Sequence, residues 1–121
     1  MNKVHLIGNI TRDPELRYTQ SGKAVARFTL AINQGYGENK RTDFPTIIVW
    51  GKTAETIGNN LHKGSKVAVN GKITTSSYEK NGQKVYTTEV TADMYDGVEF
   101  LDNKQGGSQP NEIEETEQIP F

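Results

Sequence analysis

The sequence predicts an all-β domain with one short helix, and three observations carry that reading. Apolar, largely β-branched runs of strand length recur between Val4 and Leu101, among them Asp43–Lys52, which is closed by Gly51. Only one stretch, Lys52 to Gly64, has helical spacing. Asn81-Gly82 separates two long alternating runs, and Asn-Gly is the strongest short hairpin signal because a type I′ turn needs two positive φ angles.

A chain of 121 residues suits one domain. It is polar, with 33% hydrophobic residues and a mean hydropathy of -0.70, so a core requires its apolar residues to be concentrated, as they are between Val4 and Leu101. The absence of Cys excludes disulfides, thiolate metal sites and Cys nucleophiles. No run approaches the ~20 apolar residues of a membrane span, and M-N-K-V-H-L lacks the apolar core of a signal peptide. A soluble, cytoplasmic protein without membrane partners is expected. The net charge of -1 conceals an asymmetry: residues 1–104 hold all 14 Lys and Arg, whereas residues 105–121 hold none and carry four Glu.

Val4 to Ile10 opens the chain as a strand, with Gly8 marking a bulge or a close approach. Arg12-Asp13-Pro14-Glu15 is a turn, followed by a short extended piece at Leu16–Thr19 and a second turn at Gln20–Lys23. From Ala24 to Asn33, alternation assigns Ala24, Ala26, Phe28, Leu30 and Ile32 to the buried face. A polar loop, Gln34–Thr42, carries Tyr36 between two glycines, far from any sequence neighbour that could bury it. Asp43 to Lys52 reads as a strand with two apolar faces: Phe44, Thr46, Ile48 and Trp50 on one, Pro45, Ile47 and Val49 on the other. The helix follows, with Thr53 as expected N-cap, a stripe of Ala54, Ile57, Gly58 and Leu61, and Gly64 as its C-terminal glycine. Strands at Lys66–Tyr78 and Lys84–Met94 flank Asn81-Gly82, with Tyr78 facing Val85 and Glu79 facing Lys84 in the two-residue register. Tyr95–Leu101 is a last apolar segment.

Five main strands with a helix between the third and fourth match the OB-fold, a small Greek-key barrel, here with a long β-hairpin arm. The expected domain spans residues 1–103 and the expected disordered acidic tail spans 104–121. That tail ends in Ile119-Pro120-Phe121 behind Glu114, Glu115 and Glu117, a pattern suited to docking in an apolar pocket with a basic rim. In the OB-fold the second and third strands and their loops form the binding face. Here those elements carry Tyr36, Phe44 and Trp50, and the arm adds Tyr78 and Tyr86. Lys40, Arg41, Lys52, Lys63, Lys66, Lys72, Lys80 and Lys84 interleave them. Rings that stack on bases and cations that track phosphates are the requirements of a single-stranded nucleic-acid site, one tolerant of sequence.

The chain resembles the bacterial-type single-stranded DNA-binding proteins (SSB) of bacteria and their phages. The resemblance is carried by Asn2-Lys3-Val4, Ile7-Gly8-Asn9, Asp13–Tyr18, Gly22–Ala26, Trp50–Glu55, Leu61–Ser65, Tyr86–Val90 and Ile119-Pro120-Phe121. It implies a homotetramer that wraps single-stranded DNA. The family's stacking aromatics would fall on Tyr36, Phe44, Trp50 and Tyr78, and its phosphate-binding lysines on Lys52 and Lys63. It also implies a C-terminal tip that recruits replication, recombination and repair proteins. The chain departs from the family pattern in having Tyr for Trp in the loop and on the arm, Ser76 and Ser77 for basic residues, and Pro45 for an assembly-linked His. Its tip reads E-E-T-E-Q where consecutive Asp is common.

An enzyme is disfavoured: His5 and His62 are isolated, and no metal-binding, phosphate-loop or carboxylate-pair motif is present. No cofactor is expected. A primosome-type OB interaction module and an RNA-binding OB protein are the alternatives, the first disfavoured by the acidic tail and the second left open because stacking does not read a 2′-hydroxyl.

Overall fold

The computed structural model describes residues 1–94 and 96–101. The acidic tail and its tip, with Glu114, Glu115, Glu117, Ile119, Pro120 and Phe121, lie outside the described residues. The described chain forms β1 (Val4–Ile10), β2 (Glu15–Tyr18), β3 (Ala24–Gln34), β4 (Arg41–Asp43), β5 (Thr46–Trp50), α1 (Lys52–Asn60), β6 (Lys66–Lys80), β7 (Gln83–Ala92) and β8 (Val98–Phe100). The five longest strands are those expected from the sequence; β2, β4 and β8 are short additions at their edges. Pairing runs β1-β3-β5-β7-β6, and β6 returns to β1, so the five close into a ring with the helix between β5 and β6. That is the OB-fold expected from the order of elements.

Alternation builds the interior. Ala24, Ala26, Phe28 and Leu30 of β3, Ile47 and Val49 of β5, Val67 and Val69 of β6, and Val90 and Ala92 of β7 are buried together. Ala54, Ile57 and Leu61 of the helical segment join them, so α1 plugs one end of the barrel. Gly58 belongs to the same stripe because a Cβ there would press on Leu16, at 2.9 Å from its Cδ2.

Two expectations about the helix are corrected. Gly51, not Thr53, occupies the N-cap, with φ 79, a conformation glycine adopts without strain. Thr53 turns its hydroxyl to the Met94 carbonyl at 3.1 Å instead of capping. The helix also ends earlier, capped at Leu61, and Gly64 (φ 92) serves the following turn, where its N–H donates to Ile10 O at 2.7 Å.

The expected strand at Asp43–Lys52 is divided, for a reason visible in its composition. Pro45 has no N–H for the ladder, so regular pairing lapses at Phe44-Pro45. The register does not slip: Ile32 faces Asp43 and Thr29 faces Thr46, and the Leu30 N–H still donates to Pro45 O at 3.1 Å. Phe44 therefore stays on the face of Thr46, Ile48 and Trp50. The arm has the expected register, Tyr78 against Val85 and Glu79 against Lys84, around Asn81 (φ 55) and Gly82 (φ 79).

Two outcomes are expected from these contacts. A methyl group at position 71 would run into the Thr91 carbonyl on the neighbouring strand. Gly71→Ala should therefore lower the unfolding free energy by about 1–3 kcal/mol, read as a reduced urea midpoint. The Tyr18 hydroxyl donates to Glu55 Oε2 at 3.0 Å, joining β2 to α1. That hydrogen bond, with lesser contributions from desolvation and the carboxylate charge, raises the phenol above its ordinary value near 10. The clasp is thus intact below the unfolded pKa and lost as pH rises through the higher folded one. Ultraviolet titration should show one late-ionising tyrosine, absent in Tyr18→Phe.

Candidate nucleic-acid interface

The outer surface of the barrel across β3, β5, β7 and β6 gathers most of the residues singled out in the sequence. The interior set points inward, so Val25, Arg27 and Thr29, Thr46, Ile48 and Trp50, Glu89 and Thr91, and Lys72 and Thr74 point outward in neighbouring rows. Farther along β6, Ser76, Tyr78 and Lys80 continue the same face onto the arm. Phe44 stands at one end of the β5 row and Trp50 at the other, about 20 Å apart at ~3.3 Å per residue. Ile48 lies on the outer side: it faces Arg27 and Thr91 and is absent from the interior cluster.

The aromatic groups are presented to solvent. Tyr36 is 91% exposed, Phe44 61% and Tyr78 52%. Tyr36 is held between Gly35 (φ 85) and Gly37 (φ 58) at the tip of the β3–β4 connection, where a single 3-10 turn at Gly37–Asn39 returns the chain. Trp50 is half-buried, with Lys23 Nζ 5.3 Å from its ring centroid, a cation–π contact. Beside it a recess of about 370 Å³ is lined by Lys23, Trp50, Lys72, Thr91, Ala92, Asp93 and Met94.

Not every sequence candidate joins this face. Tyr86 is exposed, but it faces Ser77, one residue out of phase with Tyr78, so it lies on the opposite side of the arm. Lys84, opposite Glu79, shares that side. Grouping Tyr78 and Tyr86 on one surface is thus corrected by the period-two alternation of the hairpin. Arg41 is also out of phase with Phe44, and its Nε is bound to Asp43 Oδ1 at 3.0 Å. Lys40 is exposed in the loop beside Tyr36, and Lys52 is exposed on the first turn of α1 just beyond Trp50. Lys63 stands apart, in the loop after α1, its N–H donating to Asp13 Oδ1 in the β1–β2 turn at 2.8 Å.

The face also holds groups that motif reading passed over. Arg27 crosses above Ile48 to Glu89, Nη2 to Oε2 at 2.6 Å, and Arg17 pairs with Glu15 at the same distance. Arg27 was legible as an outward residue of an alternating strand; its partner was not, because Glu89 is 62 residues away. Among the described residues no group of three or more His, Cys, Asp or Glu is placed to hold a metal ion, and no helix is long and apolar enough to cross a membrane.

A closed small barrel with a helical plug, bearing aromatics and cations on one open outer face, belongs to the OB class of ligand-binding domains. Comparison with known proteins narrows the class. The model of the single-strand binding protein family matches residues 1–101. The chain is 49% identical over 113 residues to single-stranded DNA-binding protein 3 of Listeria innocua, covering 89% of this chain and 68% of that protein. It is 48% identical over 113 residues to a single-stranded DNA-binding protein of Clostridium perfringens (92% and 73% covered), and 46% identical over 112 residues to single-stranded DNA-binding protein A of Bacillus subtilis (88% and 63%). A solved structure, the Plasmodium falciparum SSB complex with ssDNA, superposes with a TM-score of 0.77 at 30% identity, covering 84% of this chain and 96% of that one. The chain belongs to the single-strand binding protein family, a family of binding proteins and not of enzymes.

Proposed function

We propose that the protein binds single-stranded DNA on the outer β3–β5–β7–β6 face, with little regard to sequence. The observation that carries this reading is the alignment of Phe44, Trp50 and Tyr78 with Lys72 and Lys80 on one continuous sheet surface, in a member of this family. Bases stack on the rings at ~1–3 kcal/mol each, and the lysines neutralise phosphates. Tyr36 and Lys40 extend the path at the loop, and Lys52 extends it beyond Trp50. Lys63 and Arg41 are peripheral to the path, as are Tyr86 and Lys84.

In the same reading residues 1–103 form the DNA-binding domain, and residues 104–121 form a flexible acidic tail. Its tip, Ile119-Pro120-Phe121 behind Glu114, Glu115 and Glu117, docks replication, recombination and repair proteins. The chain assembles as a homotetramer; the outward side of β1, where Ile7 is an exposed aliphatic residue between polar His5 and Asn9, supplies a mixed surface for a second copy.

Because Trp50 is the only tryptophan, its emission reports on the face directly. Titration with oligo-dT should quench it, with an affinity that falls as salt rises, and duplex DNA should bind much more weakly. Unchanged emission at low salt would refute the assignment. Tyr78→Ala should weaken oligo-dT binding by about 5- to 100-fold, whereas Tyr86→Ala should leave it within about two-fold, the difference testing which side of the arm meets the strand. Deleting Phe121 should abolish capture of repair proteins while oligo-dT affinity stays the same or increases; lost DNA binding would contradict the division between body and tail.

A further inference from the structure

We infer that Glu89 limits the affinity of the outer face for a nucleic-acid strand by occupying Arg27. This rests on the reading of that face as a single-stranded DNA surface and adds to it a residue that sets how tightly the surface binds. The observation is an ion pair laid across the β5 row. Arg27 stands on β3 opposite Ile48, and Ile48 stands opposite Thr91 of β7, two residues from Glu89. Because β5 lies between β3 and β7, the contact of Arg27 Nη2 with Glu89 Oε2 at 2.6 Å passes above it, spanning two strand spacings or about 10 Å. The bridge therefore crosses the row between Phe44 and Trp50. Ile48 records the crossing: it points outward, yet it is only 9% exposed.

Exposed ion pairs are ordinarily worth little, but this one is lopsided. The Glu89 side chain is 17% exposed against 53% for Arg27. The carboxylate has given up most of its water and depends on the guanidinium, while the guanidinium retains access to solvent. The Glu89 backbone is fixed in the β6–β7 ladder opposite Thr74, so the carboxylate is delivered to the same place on the face whatever else binds there.

The charges around the bridge balance. Glu15 lies directly opposite Arg27 on β2, but Arg17 already holds it at 2.6 Å. Two guanidiniums thus share two carboxylates. A phosphate that reaches Arg27 displaces a carboxylate, which then gathers a counterion of its own, so the exchange releases no net counterion. Removing the charge of Glu89 leaves one guanidinium in excess, whether Arg27 stays free or turns to Glu15 and releases Arg17. Arg27 also lines two surface recesses, of about 590 and 300 Å³, so a released guanidinium has room to turn toward a strand.

The test measures oligo-dT binding by Trp50 quenching in the full chain, in Glu89→Gln, in Arg27→Gln and in the double variant. Glu89→Gln, nearly isosteric, should bind about three- to ten-fold more tightly at low salt. Its salt slope should steepen by about 0.7, the value for one phosphate contact on a single strand. Arg27→Gln leaves the carboxylate alone on the face and should bind about three-fold more weakly than the parent, or worse. The double variant, with both charges gone, should return to within about two-fold of the parent at the parent's slope. Urea midpoints establish that each variant is folded. Unchanged or weaker binding by folded Glu89→Gln would overturn the inference and leave the binding face intact. A double variant as weak as Arg27→Gln would overturn it independently, because Arg27 would then be a phosphate contact in its own right. Absence of quenching in the parent and in every variant would instead refute the binding face, and the inference with it.

Discussion

The double pairing of β1 is the constraint on which the rest of the molecule depends. Val4 to Asn9 pair with β6, and Asn9 and Ile10 pair with β3, so one short strand joins the two ends of the sheet. Such a crossing requires close backbone approach, and Gly8 supplies it: a Cβ there would lie 2.7 Å from the Ala31 carbonyl oxygen. Asn2 extends the seam with its amide, accepting from the Ile73 N–H and donating to the Ile73 carbonyl, both at 2.9 Å. Closure gives every long strand an inside and an outside. The inside takes most of the large aliphatic residues the chain buries, Ile48 on the outer side being the exception, which is how a polar sequence sustains a core. The outside is then free to carry aromatics at no cost to packing.

How much of this the sequence disclosed follows the range of each interaction. Features set by neighbours in sequence were legible: the arm's register from Asn81-Gly82, the buried set of β3, and the division of Ile47 and Val49 from Ile48 and Trp50. The helix was found, but its cap was misjudged. A Thr before an acidic turn is the common N-cap signal, yet here the sharp exit from β5 demands positive φ, and Gly51 meets it. Tyr86 shows a different failure. Its pairing with Ser77 fixes its side of the arm, and the period-two alternation of the hairpin carries that information where residue type does not. Lys23 over Trp50 and Arg27 on Glu89 could not be read at all, since each depends on strands being brought side by side.

The ion pairs on the outer face change how its charge should be understood. Arg27 and Arg17 each hold a carboxylate at 2.6 Å, so a phosphate arriving at either would exchange one anion for another instead of releasing a condensed counterion. On the proposed reading, the salt-dependent part of binding would therefore fall to lysines on or beside the face, Lys23, Lys52, Lys72 and Lys80. The paired arginines do something else: the Arg27–Glu89 bridge lies over Ile48 and covers an aliphatic side chain that would otherwise face water.

On the proposed reading, this division bears on how the face would tolerate sequence and still hold a strand. With part of its cationic charge internally compensated, the surface would rely more on ring stacking than on charge alone, and stacking is open to every base. Phe44 and Trp50 are fixed at opposite ends of one strand by a register that Pro45 interrupts but does not shift. Tyr36 and Tyr78 stand on a loop and an arm that project from the same barrel. On the proposed reading, these two outlying rings would lengthen the stacking path that Phe44 and Trp50 define along the β5 row, so that one flexible strand could meet rings on the loop, the barrel and the arm in succession.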